Sequence, residues 1–377
     1  MTVAGLIFSN IHDNEMSEFT GIRTVASVPF GCRYRLIDFP LSYMVNCGIS
    51  KIGVITHNNY RSLVDHIGMG KDWDLARRSG GIKILPPFIT AFSGNTKRTL
   101  YNNRLEALAG VRDFISRCTE DCILLCDCNG ICNIDVKELL KLHEKSRAKI
   151  TLVSAEQNFN CGSVPKDTYE IKSDEEGNVT SFTKLTAAKG VSEICTNIIV
   201  FDRAFLLKGI SEAMAEGYSD FYGGIIGRNL SDFTVKRYKY EGTYMLISSL
   251  PTYFAASMKL LDEEVRRDLL GNAERPIYTK VRNSPPTLYL PSSRVNSSYI
   301  ADGCVIEGSV ENSILFRGVK VGRGSVIKNS ILLQDTEVGE GVSLNCVITD
   351  KNVTVRSGRI LSGHESIPFF LSKGTEV

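Results

Sequence analysis

Between residues 300 and 348 an apolar side chain recurs every six positions: Ile300 to Ile306, Val321 to Ile327, Leu332 to Val338 to Leu344, and Val342 to Ile348. Turn residues fall in phase with that beat, at Asp302-Gly303, Gly322, Gly339 and Gly341. Residues 292–377 hold ten of the 32 glycines, and seven of the ten lie between Gly303 and Gly341. This pattern predicts a left-handed parallel β-helix built from hexapeptide repeats: each triangular coil takes three short strands and a small residue at its corners. A β-sandwich has no reason to keep one phase over so long a stretch.

The first 250 residues have another rhythm. Short apolar strands (Thr2–Phe8, Lys51–Thr56, Asp121–Cys126, Lys149–Val153) alternate with helical stretches (Leu36–Cys47, Asn103–Arg117, Val136–Glu144). Alternation of this kind predicts a Rossmann-like α/β domain with a mostly parallel sheet covered on both faces. Such sheets bind ligands at the carboxyl ends of their strands. Leu250–Leu270 reads as one amphipathic helix, and Pro276, Pro285, Pro286 and Pro291 mark an extended linker. The expected division is therefore 1–250, 251–291 and 292–377.

Composition narrows the function classes. The 44 Lys+Arg against 42 Asp+Glu leave a formal charge of +2, spread along the chain. Binding to nucleic acid through bulk charge is not expected. No apolar run approaches a membrane span, and the N-terminus lacks the basic region and cleavage site of a signal peptide. Eleven cysteines in such a chain read as reduced thiols, so a cytoplasmic location is expected. Cys118, Cys122, Cys126, Cys128 and Cys132 lack Cys-x-x-Cys spacing and are expected to act as small buried apolar groups rather than as a zinc or redox set. A β-helix acyltransferase would place a catalytic histidine in the coils, yet His364 lies beyond the repeats.

The stretch Val28-Pro-Phe-Gly-Cys-Arg-Tyr-Arg-Leu-Ile-Asp-Phe-Pro-Leu-Ser42 closely resembles the VPFGGKYRIIDFALSN segment of bacterial ADP-glucose pyrophosphorylases, the glucose-1-phosphate adenylyltransferases. Ile52–His57, His66–Leu75 and the β-helix segment Ile300–Leu315 are similar to the same family, in the same order along the chain. The resemblance implies a nucleotidyltransferase domain ahead of the β-helix. It also implies a reaction of ATP with glucose 1-phosphate that uses Mg²⁺ and yields ADP-glucose and diphosphate. That chemistry needs a glycine-rich loop around the triphosphate, a cation beside it and carboxylates on the metal.

Each requirement fails when the motifs are laid over this chain. The glycine-rich loop becomes Ser9-Asn-Ile-His-Asp-Asn-Glu-Met-Ser-Glu-Phe19, with no glycine and three carboxylates. The family's loop lysine falls on Val25, its first metal aspartate on Asn129 and its second on Leu246. An amide is a poor replacement for a Mg²⁺ carboxylate, and leucine cannot ligate at all. The sugar-phosphate motifs GTADA and FVEKP become Asn103–Ala107 and Phe182–Thr186, leaving Lys184 one place early. Ser9, Asn10, His57 and Lys184 are the candidates for a residual nucleotide or sugar pocket, with His57 where the family has an adenine-contacting glutamine.

The resemblance therefore points to the D-type, non-catalytic subunit of the bacterial enzyme. It implies no catalytic or metal residues in this chain, Mg²⁺ carried by a catalytic partner, and assembly with that partner as a heterotetramer. Arg23, Arg33 and Arg35 are the candidate site for an anionic sugar-phosphate effector, through clustered guanidinium groups. Two other readings stand beside it. One is a self-sufficient nucleotidyltransferase with its metal displaced to Asp127 and Asp135; the other is a scaffold with no catalytic partner.

Overall fold

The computed structural model describes the whole chain except residues 78, 88–100, 102, 160–163 and 232–234. It divides into two compact units. The first comprises residues 1–11, 39–245 and 274–278, and the second 12–38, 246–273 and 279–377.

The first unit is the α/β domain. Its sheet contains β1 (Val3–Phe8), β2 (Lys51–Ile55), β3 (Gly81–Leu85), β4 (Cys122–Asp127), β5 (Ile150–Phe159), β6 (Tyr169–Ser173), β7 (Val179–Lys184), β8 (Gly190–Asp202) and β9 (Val235–Lys239). The order β3-β2-β1-β4 is parallel, as the alternating pattern predicts. Beyond it, β8 runs antiparallel to β4, and β6, β7 and β5 add further antiparallel pairs, so the whole sheet is mixed. Leu6, Ile7, Ile52, Val54, Ile123 and Leu124 are fully buried, each contributing roughly 1.5–3 kcal/mol of transfer free energy. Gly53 is required by packing alone: a Cβ there would lie 2.7 Å from Leu85 and 2.9 Å from Leu6.

The register brings three strand ends level, because Phe8 pairs with both Ile55 and Asp127. The predicted helix over Asn103–Arg117 is two, α1 (Arg104–Gly110) and α2 (Arg112–Ser116), interrupted at Val111 after Gly110. Asn103 caps the first by accepting the Glu106 amide at 2.8 Å.

The second unit holds the β-helix. Three parallel five-stranded sheets run up its three faces. Stacked registers such as Ile306–Val321–Val338–Val355 and Val310–Ile327–Leu344–Leu361 fill its interior, with all but Leu361 buried. The corners are made by Gly303, Gly318, Gly324, Gly341 and Gly358, all at positive φ, and by an asparagine ladder in which Asn312 donates to Asn329 at 2.6 Å and Asn329 to Asn345 at 3.0 Å. The expected single helix over Leu250–Leu270 is two, Leu250–Lys259 and Glu263–Leu270. Asp262 starts the second by accepting the Glu264 and Val265 amides.

Residues 12–38 and 246–273 group with the β-helix, and residues 274–278 with the α/β domain. The reason is packing across long sequence separation. Phe19 lies edge-on to Phe370 at 5.0 Å, Tyr253 donates to the Pro29 carbonyl at 2.8 Å, and Arg23 forms a two-pronged ion pair with Asp350 at 2.9 and 2.7 Å.

Candidate functional site

The carboxyl ends of β1, β2 and β4 are where a parallel sheet of this kind would take its ligand; Ser9 and Asn10 follow β1 and His57 follows β2, whereas Lys184 ends the outer strand β7. Ser9 and Asn10 are buried. The Asn10 side-chain carbonyl accepts from the Tyr101 hydroxyl at 2.7 Å, and the Tyr101 ring stands edge-on to His57 at 4.7 Å. Partial burial lowers the His57 pKa below its ordinary value, so the imidazole is neutral near pH 7. Ser9, Asn10 and His57 are thus brought together, with Tyr101 as the link that the sequence reading did not contain.

The next group is centred on Arg104, also unexpected. Its guanidinium forms a short ion pair with Asp127, the last residue of β4, and reaches Asp167 at 3.5 Å. The two pairing side chains are almost sealed: Arg104 is 4% exposed and Asp127 2%. The guanidinium carbon sits 5.9 Å from the Phe8 ring and 5.1 Å from the Tyr222 ring. Burial works against the charge on Arg104, but Asp127, Tyr222 and Asp167 together outweigh it and hold the pKa above its ordinary value. Tyr222 donates to the Asn197 side-chain carbonyl at 2.6 Å. Lys184, the predicted sugar-phosphate residue, is exposed and bonded to Asp167 at 3.0 Å.

Asp127 and Asp135, the displaced metal pair of the self-sufficient reading, are both engaged elsewhere. Asp127 is held by Arg104, and Asp135 caps the helix Val136–Ser146 by accepting the Lys137 and Glu138 amides at 2.9 and 3.3 Å. Asn129 is buried and Leu246 half-buried. Mg²⁺ does not fit this donor set. One carboxylate already has a guanidinium partner, the other caps a helix, and Asn129 offers an amide oxygen without charge. Val25, at the family lysine position, is buried in a short turn where its amide donates to Asp13 at 2.7 Å. Burial pushes the Asp13 carboxyl up to about 7 despite that bond.

In the second unit the three predicted effector arginines part company. Arg23 is buried and committed to Asp350. Arg33 is exposed, its guanidinium 5.6 Å from the Tyr34 ring. Arg35 is buried, and its amide donates to Asp38 at 3.0 Å. Arg23 and Arg35 belong to a larger cationic group. Lys351 is pushed down to about 7, first by burial and then by Arg35, Arg23 and Arg282. A cleft of about 540 Å³ opens among Lys280, Arg282, Asn283, Arg317, Gln334 and Asp335. Lys351 and Arg282 carry no local motif, so only the coil stacking brings them into view. The five clustered cysteines are buried and reduced.

Comparison with known proteins now bears on this geometry. Residues 20–184 match the Nucleotidyl transferase family, and residues 291–365 the GlmU-like C-terminal hexapeptide family. The glycogen biosynthesis protein GlgD of Bacillus subtilis (strain 168) is 32% identical over 372 residues, covering 98% of this chain and 95% of its own length. GlgD of Geobacillus stearothermophilus is 34% identical over 371 residues, covering 98% and 96%. The chain belongs to the GlgD and glucose-1-phosphate adenylyltransferase family. A glucose-1-phosphate adenylyltransferase of Geobacillus stearothermophilus is 32% identical over 311 residues, with 80% of this chain and 77% of the relative covered. The match to both GlgD relatives runs through the α/β domain and the β-helix alike.

Proposed function

We propose that the chain is a regulatory, catalytically deficient subunit of glucose-1-phosphate adenylyltransferase in glycogen biosynthesis. It acts in the cytoplasm by association with a catalytic subunit, as a heterotetramer. The catalytic partner brings the Mg²⁺ and the complete phosphate loop. The observation that carries this reading is the buried Arg104–Asp127 pair at the carboxyl ends of β1 and β4, where the family's metal would need carboxylates free to coordinate it. Full-length similarity to proteins named for glycogen biosynthesis supports the pathway.

Regulation in this reading is a coupling free energy: the subunit favours one state of its partner, and an effector shifts that preference. The effector is an anionic sugar phosphate held by Arg35, Arg282, Lys280 and Lys351, with Arg33 at the exposed rim. Arg23 serves as a positioning residue, fixing Asp350 next to Lys351.

Pyrophosphorolysis of ADP-glucose tests the proposal, with the chain alone, with a catalytic subunit of the family, and with both mixed. The expected result is no turnover alone and an altered rate or effector response in the mixture, with co-elution in gel filtration. Robust Mg²⁺-dependent turnover by the isolated chain would overturn it.

A further inference from the structure

Arg104 is held as a ligand is held. Asp127 pairs with it from the strand end, Asp167 approaches at 3.5 Å, and the Phe8 and Tyr222 rings lie over it at 5.9 and 5.1 Å. Lys184 balances Asp167 from the solvent side at 3.0 Å, which leaves Arg104 as the cation for Asp127. An isolated buried carboxylate is costly unless something positive accompanies it. Here that positive group is attached to the chain, so it needs no binding from solution and loses no translational freedom on arrival.

We propose that Arg104 is a tethered cation filling a latent small-cation site formed by Asp127, Asp167, Phe8 and Tyr222. Filling it supplies Asp127 with a counter-charge without a ligand from solution. The site prefers a planar guanidinium, because two aromatic faces and a carboxylate match the flat, weakly hydrated group better than a compact ammonium. This inference does not rest on the regulatory reading: it holds whether or not the chain pairs with a catalytic subunit.

Thermal unfolding of Arg104→Ala, of the double variant Arg104→Ala/Asp127→Asn and of the unaltered chain tests it, each with and without millimolar methylguanidinium, Mn²⁺ or neutral acetamide. Arg104→Ala is expected to lose roughly 5–10 °C in Tm, because it strands a buried carboxylate. Methylguanidinium should recover a few degrees of that loss, and acetamide none. The double variant should melt above Arg104→Ala and respond to neither cation. Recovery by methylguanidinium alone assigns the site to organic cations, and recovery by Mn²⁺ as well extends it to divalent ions; both support the proposal. Equal Tm values for Arg104→Ala and the unaltered chain, or equal responses in the double variant, would overturn it. Should Arg104→Ala not be recovered folded, the double variant decides: it is expected to fold, and its loss sinks the idea.

Discussion

Asp350→Ala is the sharpest probe of why residues 12–38 join the β-helix unit. Arg23 meets Asp350 through two parallel hydrogen bonds of 2.9 and 2.7 Å, with the side chains 4% and 2% exposed. Removing the carboxylate leaves a guanidinium buried without its counter-ion, which costs about 3–5 kcal/mol. In a unit of roughly 150 residues that corresponds to a fall in Tm of about 6–20 °C. An exposed pair of the same length serves as control: Lys320–Glu337, at 2.7 Å and more than half exposed on both sides, should change stability by less than about 1 kcal/mol. The readout is far-UV circular dichroism in urea. The sole tryptophan, Trp73, lies in the other unit and its fluorescence reports the wrong transition. A double-mutant cycle with Arg23→Ala isolates the pair, and the coupling should reach about 2 kcal/mol. Coupling below about 0.5 kcal/mol would mean that aromatic packing around Phe19 anchors the segment without help from the ion pair, and the argument from burial would be wrong.

Three further outcomes are expected. Lys351 loses its charge as pH rises through about 7, so sulfate, whose own charge is constant there, should bind the group of Lys351, Arg35 and Arg282 more weakly as pH rises from 6 to 8.5; calorimetry should find that slope absent in Lys351→Met. His143, buried beside Thr151 at 2.7 Å, is held down to about 4 chiefly by burial. The unfolded chain therefore takes up its proton first as pH falls, and stability should drop by about 3 kcal/mol between pH 7 and pH 4, a loss missing in His143→Phe when urea midpoints are compared. Gly53→Ala should cost about 1–3 kcal/mol in the same assay, because its methyl group would enter space filled by Leu85, Leu6 and Phe114.

What the sequence made legible follows the range of the forces involved. The β-helix is written as a local period, and its strands appear where Ile306, Val321 and Val338 put them. The departures of the Ser9–Phe19 loop, Val25, Asn129 and Leu246 from the motifs that the sequence resembles are equally local. The grouping of Arg23 with Asp350, 327 residues apart, has no local signature, and neither does the approach of Lys351 to Arg282. Helix breaks at Val111 and near Leu260 were also hidden, because amphipathic spacing continues across a cap. For Arg104 a signal was present: a long cation in a place where the GTADA motif has a small polar residue. Read alone, it registers as damage to a motif. Its meaning depends on Asp127, 23 residues away and level with it only once β4 is aligned on β1.

That dependence bears on how the pocket differs from the family pattern. Neither Arg104 nor Asp127 is tolerable there singly, since each would be a buried charge without a partner. Together they form a neutral, hydrogen-bonded plug that contributes rigidity where the family's chemistry requires exchangeable ligands. The two changes must therefore stand or fall as a pair. The carboxylate absent at position 129 is present at 127, the last residue of β4, and its cation is part of the polypeptide. Simple decay of a motif would leave apolar or solvated substitutes, as at Val25 and Leu246. At Arg104 and Asp127 the pocket has instead acquired an interaction of its own, which is what a subunit valued for its shape rather than its turnover would need.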